Sequence, residues 1–261
     1  MNTNSKVIAI ANEKGGVGKT TTALNIGAGL SCQGKKVLLI DLDQQANLTN
    51  YLGFEEDGKD TISDIIFAVA SGHYYDYSKV IRKNESEDIS YIPASKMLAV
   101  TTSVLSNVAN SQEVLRNILA DDVFKQFDYI ILDCRPSLDL LVVNALVASD
   151  YILIPVQAEK FALDGVNNIM ETFHRVRKTS NHNLKLGGLL ITMADTRTNM
   201  AKAVEDTLRQ GYNSKVFSTV IPRLIEATNS TFEQKSLINM KNSRLGELYK
   251  KAAEEVIKWE H

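Results

Sequence analysis

An α/β fold, a mostly parallel twisted sheet with helices on both faces, is predicted by three features of the sequence. Short β-branched runs alternate with longer helical patterns along the chain, as βαβ units require. All four prolines, Pro93, Pro136, Pro155 and Pro222, fall at or just past the end of a predicted strand, where a missing N–H breaks no central ladder. The 261 residues are 44% hydrophobic and 23% charged, enough to bury a full core and too apolar for a disordered chain.

Taken in order, Val7–Ala11 is a short apolar run after a polar start and reads as the first strand. Thr20–Gln33 follows as a helix, then Val37–Asp41 as an aliphatic strand ending in a carboxylate. Thr61–Ala70 is helical and Ile89–Ile92 is a strand. Met97–Phe124 is a long helical stretch with a break expected near Asn110. Tyr129–Asp133 again runs from aliphatic residues to a carboxylate, and Asp139–Ala148 is helical. Tyr151–Pro155, Leu186–Met193 and Lys215–Ile221 are strands, separated by helices at Leu163–Lys178 and Met200–Gln210. Ser243–Trp259 is the closing helix. With no repeat, low-complexity tract or long linker, residues 1–261 are expected to form a single domain. The first strand begins almost at once, so no N-terminal helix-turn-helix domain is expected.

The net charge of −2 excludes a uniformly basic nucleic-acid coat, but it hides an imbalance. Residues 1–170 carry 14 Lys+Arg against 21 Asp+Glu, a net of −7, whereas residues 171–261 carry 15 against 10, a net of +5. Such asymmetry points to a nucleic-acid or membrane surface. Cys32 and Cys134 are too few for a disulfide framework and fit no zinc spacing. No signal peptide and no run of apolar residues long enough to span a membrane is present, so a cytoplasmic location is expected.

The strongest chemical signal follows the first strand: Lys14-Gly15-Gly16-Val17-Gly18-Lys19-Thr20-Thr21. A strand, a glycine-rich turn and Lys-Thr opening a helix is the context of a phosphate-binding loop, and it makes the fold P-loop NTPase-like. Backbone N–H groups of the turn and of the helix N-terminus cradle phosphate oxygens. Lys19 then reaches the β- and γ-phosphates, and the Thr20 hydroxyl ligates Mg²⁺. The usual pattern opens on a glycine where this chain has Glu13, and a second lysine, Lys14, precedes the glycine pair. In this the segment resembles the deviant Walker A box of the ParA/MinD ATPases. The resemblance implies that Lys14 reaches across a nucleotide-sandwich dimer to the phosphates bound by a second copy.

Asp41-Leu42-Asp43-Gln44-Gln45 ends the second strand. Alternation puts Asp41 and Asp43 on one side of the chain, facing the phosphate loop. A carboxylate there orders the attacking water or a magnesium-bound water. The segment is similar to the family's Asp-x-Asp-Pro-Gln switch I. That likeness makes Asp43 the water-activating residue, puts Gln44 in place of a proline and leaves Asp41 open between a functional and a solvated acid. Phe127 to Asp133 follows Walker B logic, a buried strand delivering Asp133 to hold Mg²⁺ through water. Cys134-Arg135-Pro136-Ser137-Leu138 resembles the family's Asp-x-Pro-Pro-Ser switch II with Arg135 for the first proline. Arg135 is read as a solvated side chain, with a contact to nucleotide or partner as the alternative.

Further segments resemble the Soj/ParA partition branch: Ile154 to Glu159 with Phe161-Ala162-Leu163, Leu190 to Met193, Arg197-Thr198-Asn199 and Thr219 to Arg223. The resemblance implies that Pro222 borders the adenine and that Arg197 and Arg223 contact DNA. It further implies Mg-ATP as cofactor, an ATP-dependent homodimer, non-specific DNA binding and slow hydrolysis stimulated by a ParB-like centromere-binding partner. The basic segment after residue 170 suits such salt-sensitive phosphate contacts. The alternative is a MinD-like membrane-associated ATPase, which requires a basic amphipathic C-terminal helix. Leu248 to Trp259 is amphipathic but balanced in charge, and reads as a domain-closing helix, so no stable membrane anchor is expected.

Overall fold

The computed structural model describes residues 5–159, 162–195 and 197–260. Among them, seven strands form one sheet in the order β3-β4-β2-β5-β1-β6-β7. They are β1 (Lys6–Ile10), β2 (Val37–Leu42), β3 (Arg82–Asn84), β4 (Ile89–Ile92), β5 (Tyr129–Cys134), β6 (Tyr151–Gln157) and β7 (Lys185–Thr192). All neighbours run parallel except the short edge strand β3, which pairs antiparallel with β4. The helices are α1 (Lys19–Ser31), α2 (Asn47–Tyr51), α3 (Ile62–Ala70), α4 (Leu98–Leu105), α5 (Val114–Leu119), α6 (Leu140–Ala148), α7 (Ala162–Thr179), α8 (Asn199–Tyr212), α9 (Glu226–Phe232) and α10 (Arg244–Ile257).

The sheet is covered on both faces, so its central strands are apolar on both sides rather than alternating with polar residues. Along β1, Val7 and Ala9 pack with α3, α5, α6 and α7, while Ile8 and Ile10 pack with α1 and α10. The period of two thus divides two hydrophobic cores. The second core needs close helix approach: a Cβ on Gly29 of α1 would lie 2.6 Å from the Cβ of Ala253 on α10.

Most predicted elements lie where the sequence puts them, and the long stretch 97–124 divides at Asn110, which adopts φ 57°. Four differences have physical causes. Lys215–Ile221 is no strand. Val216 bridges Leu189 and Pro222 bridges Ala194, but the N–H groups of Ser218 and Thr219 turn to the Glu255 carboxylate on α10 at 2.8 and 2.9 Å, which interrupts the ladder. Pro155 lies inside β6, in register with Leu190. Its missing N–H breaks no ladder, because β1 pairs only with Tyr151 to Leu153 of β6. The short β3 and α2 carry too few residues to show a period, and α9 forms in a segment without an apolar repeat. Phe161 lies outside the described residues.

Candidate active site

The sheet register brings the candidate residues together. Ile10 and Asp41 both pair with Asp133 across β5, so the phosphate loop, switch I and switch II leave adjacent strands at the same carboxyl edge, where ligands bind in such sheets. The loop from Ala11 to Gly18 is pinned from behind. Asn12 donates to the Pro155 carbonyl at 2.8 Å and accepts from the Lys14 N–H at 3.0 Å, and Thr192 donates its hydroxyl to the Val17 carbonyl at 2.8 Å. Gly16 and Gly18 sit at φ 72° and 83°, a left-handed backbone open to glycine without strain. Gly18 caps α1 without a side chain, which leaves the first-turn N–H groups of α1 directed at the loop.

A cavity of 480 Å³ opens there, lined in part by Gly16, Gly18, Lys19, Thr20, Thr21 and Asp43. Asn47, Asn50 and Tyr51 of α2, Thr231 of α9 and Gln234 just after it form a further wall. That wall is tied together, since Gln234 donates to the Asn50 carbonyl at 3.0 Å and the Tyr51 and Ser230 hydroxyls are hydrogen-bonded. A second, more apolar cavity of 360 Å³ shares Gly18, Thr21 and Met193 with the first and is lined by Pro222, Ile221, Leu224 and Tyr249. The two cavities therefore adjoin at the N-terminus of α1, the second being the more apolar.

Lys19 is buried, and its ammonium donates to the Lys14 carbonyl at 2.9 Å. Burial lowers its pKa, opposed by the nearby Asp133 and Asp43 charges. Asp133 is fully buried, and neither carboxylate oxygen has a hydrogen-bond partner in bonding geometry among the described residues. Burial pushes its pKa well above the usual carboxylate range, the Asp41 charge adds to this, and the Thr20 hydroxyl and Lys19 act against it. An orphaned carboxylate beside the Thr20 hydroxyl is a donor set that suits Mg²⁺, which takes one or two protein ligands and fills its octahedron with water and phosphate. Among the described residues no group of three or more His, Cys, Asp or Glu is set to cage a metal, as expected for a site whose remaining ligands arrive with the nucleotide.

Asp43 lines the cavity and accepts from the Gln45 N–H at 2.9 Å. Asp41 does not join it. Its oxygens accept from the Asp43 N–H at 3.0 Å, the Thr49 N–H at 2.9 Å and the Thr49 hydroxyl at 2.7 Å. It is a buried bracket for α2, pushed up to about 6 by burial. Alternation placed the two acids on one side, but Asp41 is taken up by Thr49 of α2 while Asp43 lines the cavity.

Arg135 corrects the sequence reading. It is not solvated: its side chain is 11% exposed, ion-paired with Asp139 and hydrogen-bonded to Thr102 at 3.2 Å. Lys14 does not line its own cavity; its ammonium lies 3.7 Å from Glu159, which also accepts from Arg223 at 2.9 Å. Arg197 is exposed and grips Asp195 through two bonds of 2.8 Å. Both arginines implied as DNA contacts are thus ion-paired within the chain. Asp195 stands close to Arg197 in sequence, but the Arg223 pair could not be read from spacing because Glu159 is far away. The same holds for the α2 and α9 wall, which carries no motif.

The AAA domain family matches residues 5–186. The sporulation initiation inhibitor protein Soj of Bacillus subtilis is 40% identical over 253 residues, covering 96% of this chain and 98% of that protein. The chromosome partitioning protein ParA of Caulobacter vibrioides is 36% identical over 255 residues, covering 97% and 94%. The crystal structure of cobyrinic acid a,c-diamide synthase from Mycobacterium smegmatis with bound ADP and magnesium superimposes with a TM-score of 0.84 at 31% identity, covering 98% and 96%.

Proposed function

The chain belongs to the Soj/ParA family of ATPases, and on that premise we propose that it is a DNA-partition ATPase that binds Mg-ATP as a single domain, residues 1–261. Gly15 to Thr21 form the nucleotide cradle, with Lys19 on the β- and γ-phosphates and Pro222 beside the base. Thr20, and Asp133 through water, would hold Mg²⁺, which would supply charge neutralisation at the phosphates. Asp43 would orient the attacking water or a magnesium-bound water.

The observation that carries this reading is the division between the two lysines. Lys19 is buried at the cavity, whereas Lys14 turns its half-exposed ammonium away from it toward Glu159. A loop lysine facing away from its own cavity suits the deviant Walker A role, in which it serves the phosphates of a second copy. ATP then favours a sandwich dimer, since a ligand shifts an equilibrium only by its differential affinity. Two copies double the basic surface that includes Arg197 and Arg223 and bind DNA without sequence preference. Hydrolysis, slow alone and stimulated by a ParB-like centromere-binding partner, releases it. The expected location is the cytoplasm, on the nucleoid while ATP is bound. Among the described residues no helix is long and apolar enough to cross a membrane. The apolar face of α10, with Leu245, Tyr249 and Val256, is buried in the second core, so that face is not free to insert as the MinD-like alternative requires.

Co-sedimentation with DNA and with anionic liposomes, in ATP, ADP and no nucleotide, tests the proposal. Pelleting with DNA in ATP alone is expected; pelleting with liposomes and not DNA would reject it for the membrane reading.

A further inference from the structure

The loop from Cys134 to Asp139 borders the cavity, and one charged side chain ties it to the neighbouring helices. Cys134 and Pro136 line the cavity, and Pro136 packs toward the phosphate loop, 3.9 Å from where a Cβ on Gly15 would lie. Arg135, between them, points the other way. Its guanidinium is ion-paired with Asp139 and donates to the Thr102 hydroxyl on α4. Asp139 is itself the cap of α6, accepting from the N–H groups of Leu141 and Val142 at 3.1 and 3.4 Å. The Arg135 carbonyl accepts from the Ser137 N–H at 2.9 Å and shapes the turn around Pro136.

Besides this anchor, Leu138 packs against the first core, but the polar groups between are poorly held. The Ser137 hydroxyl and the Arg135 Nε are buried with no partner in bonding geometry among the described residues. Each such atom favours a loop that moves to find one. The guanidinium opposes that movement through one nitrogen, Nη2, which bonds to Asp139 at the start of α6 and to Thr102 of α4 at once.

We infer that Arg135 is a positioning residue for hydrolysis, holding Cys134 and Pro136 against the phosphate loop through its Asp139 and Thr102 contacts and never touching the nucleotide. The inference rests on the ATPase reading of the site. Because the anchor acts on the geometry of attack, its loss lowers turnover more than ATP binding.

Steady-state hydrolysis by the full chain is compared for wild type, Arg135→Ala, Arg135→Lys, Asp139→Asn and the double variant Arg135→Ala/Asp139→Asn. Asn at 139 still caps α6 and only breaks the ion pair, so this variant remains informative if Arg135→Ala folds poorly. Amide hydrogen exchange is followed alongside in the nucleotide-free protein. The expected result is a kcat reduced about 10-fold in Arg135→Ala and Asp139→Asn with KM within about twofold, since a misplacement near 1 Å can cost even more. The double variant falls no further, because both changes cut one link. Arg135→Lys recovers part of the loss, and exchange quickens at residues 134–138 but not at 12–20. Wild-type kcat in Arg135→Ala, losses that multiply in the double variant, or a raised KM at unchanged kcat would each overturn the inference. A wild-type protein without turnover rejects the ATPase reading instead, and the exchange pattern then decides the anchoring by itself.

Discussion

Asp133 joins a stability cost to a function. Among the described residues its two buried oxygens have no partner in bonding geometry, an arrangement a folded chain tolerates where a ligand completes it. Asp133→Asn removes the buried charge and its repulsion with Asp41. The nucleotide-free variant is therefore expected to melt higher, by roughly 2–4 °C for each kcal/mol recovered, while Mg²⁺-dependent stabilisation by ATP disappears. Thermal melts with and without Mg-ATP read both effects, and an unchanged Mg²⁺ response would remove Asp133 from the metal site. Asp41 makes the pH dependence explicit. Its folded pKa of about 6 lies above the model-peptide value of 3.8. The folded chain thus holds a proton that the unfolded chain has lost, and stability from this group falls as pH rises between those values. Against wild type, Asp41→Asn should gain in relative melting temperature from pH 4 to pH 7. Asp43→Ala, by contrast, should bind ATP as wild type and turn over at least 10-fold slower, leaving ATP-bound protein that persists on DNA. Normal turnover in that variant would deny Asp43 its water.

Elements act here through how closely they approach. α10 lies against α1 because Gly29 presents no side chain where Ala253 and Ile238 press in. Gly29→Val forces overpacking that costs about 1–3 kcal/mol, so the melting temperature should fall several degrees. The phosphate loop lies at the far end of α1, so ATP affinity of the folded fraction should change little. Calorimetry and nucleotide titration separate the two. A variant as stable as wild type would mean that the α1–α10 contact bears less than its geometry implies. The central strands were legible from sequence because burial on both faces leaves continuous aliphatic runs, as in β5 and β6. The segment at Lys215–Ile221 has the same composition, yet Glu255 takes two of its N–H groups. An acceptor on a distant helix leaves no trace in local pattern.

For the whole molecule, the charge asymmetry acquires a location but also a counterweight. Arg223 and Lys14 share Glu159, and Arg197 is held by Asp195, so the free chain presents less positive surface than its count of basic residues suggests. In the proposed DNA complex, phosphates would compete with these carboxylates, and the proposed dimer would help by supplying two surfaces at once. Arg223→Ala is expected to weaken DNA binding in ATP and reduce the slope of log affinity against log salt by about one, with ATP affinity unchanged. An unaltered slope would place Arg223 off the DNA.

The sequence by itself determined the α/β class, the phosphate loop with its two lysines, and the carboxylates Asp43 and Asp133, because each depends on local chemistry: glycine backbone freedom, an apolar strand and a short fixed spacing. Only the tertiary structure decided that Asp41 braces α2, that Arg135 is anchored on Asp139 and Thr102, that α2 and α9 wall the cavity, and that Lys14 and Arg223 share Glu159. Apart from the short Arg135–Asp139 spacing, these outcomes join residues on separate elements, and even that pair is decided by burial and the direction of a side chain. Pairing and desolvation of this kind exist only once the sheet has brought its carboxyl edge together.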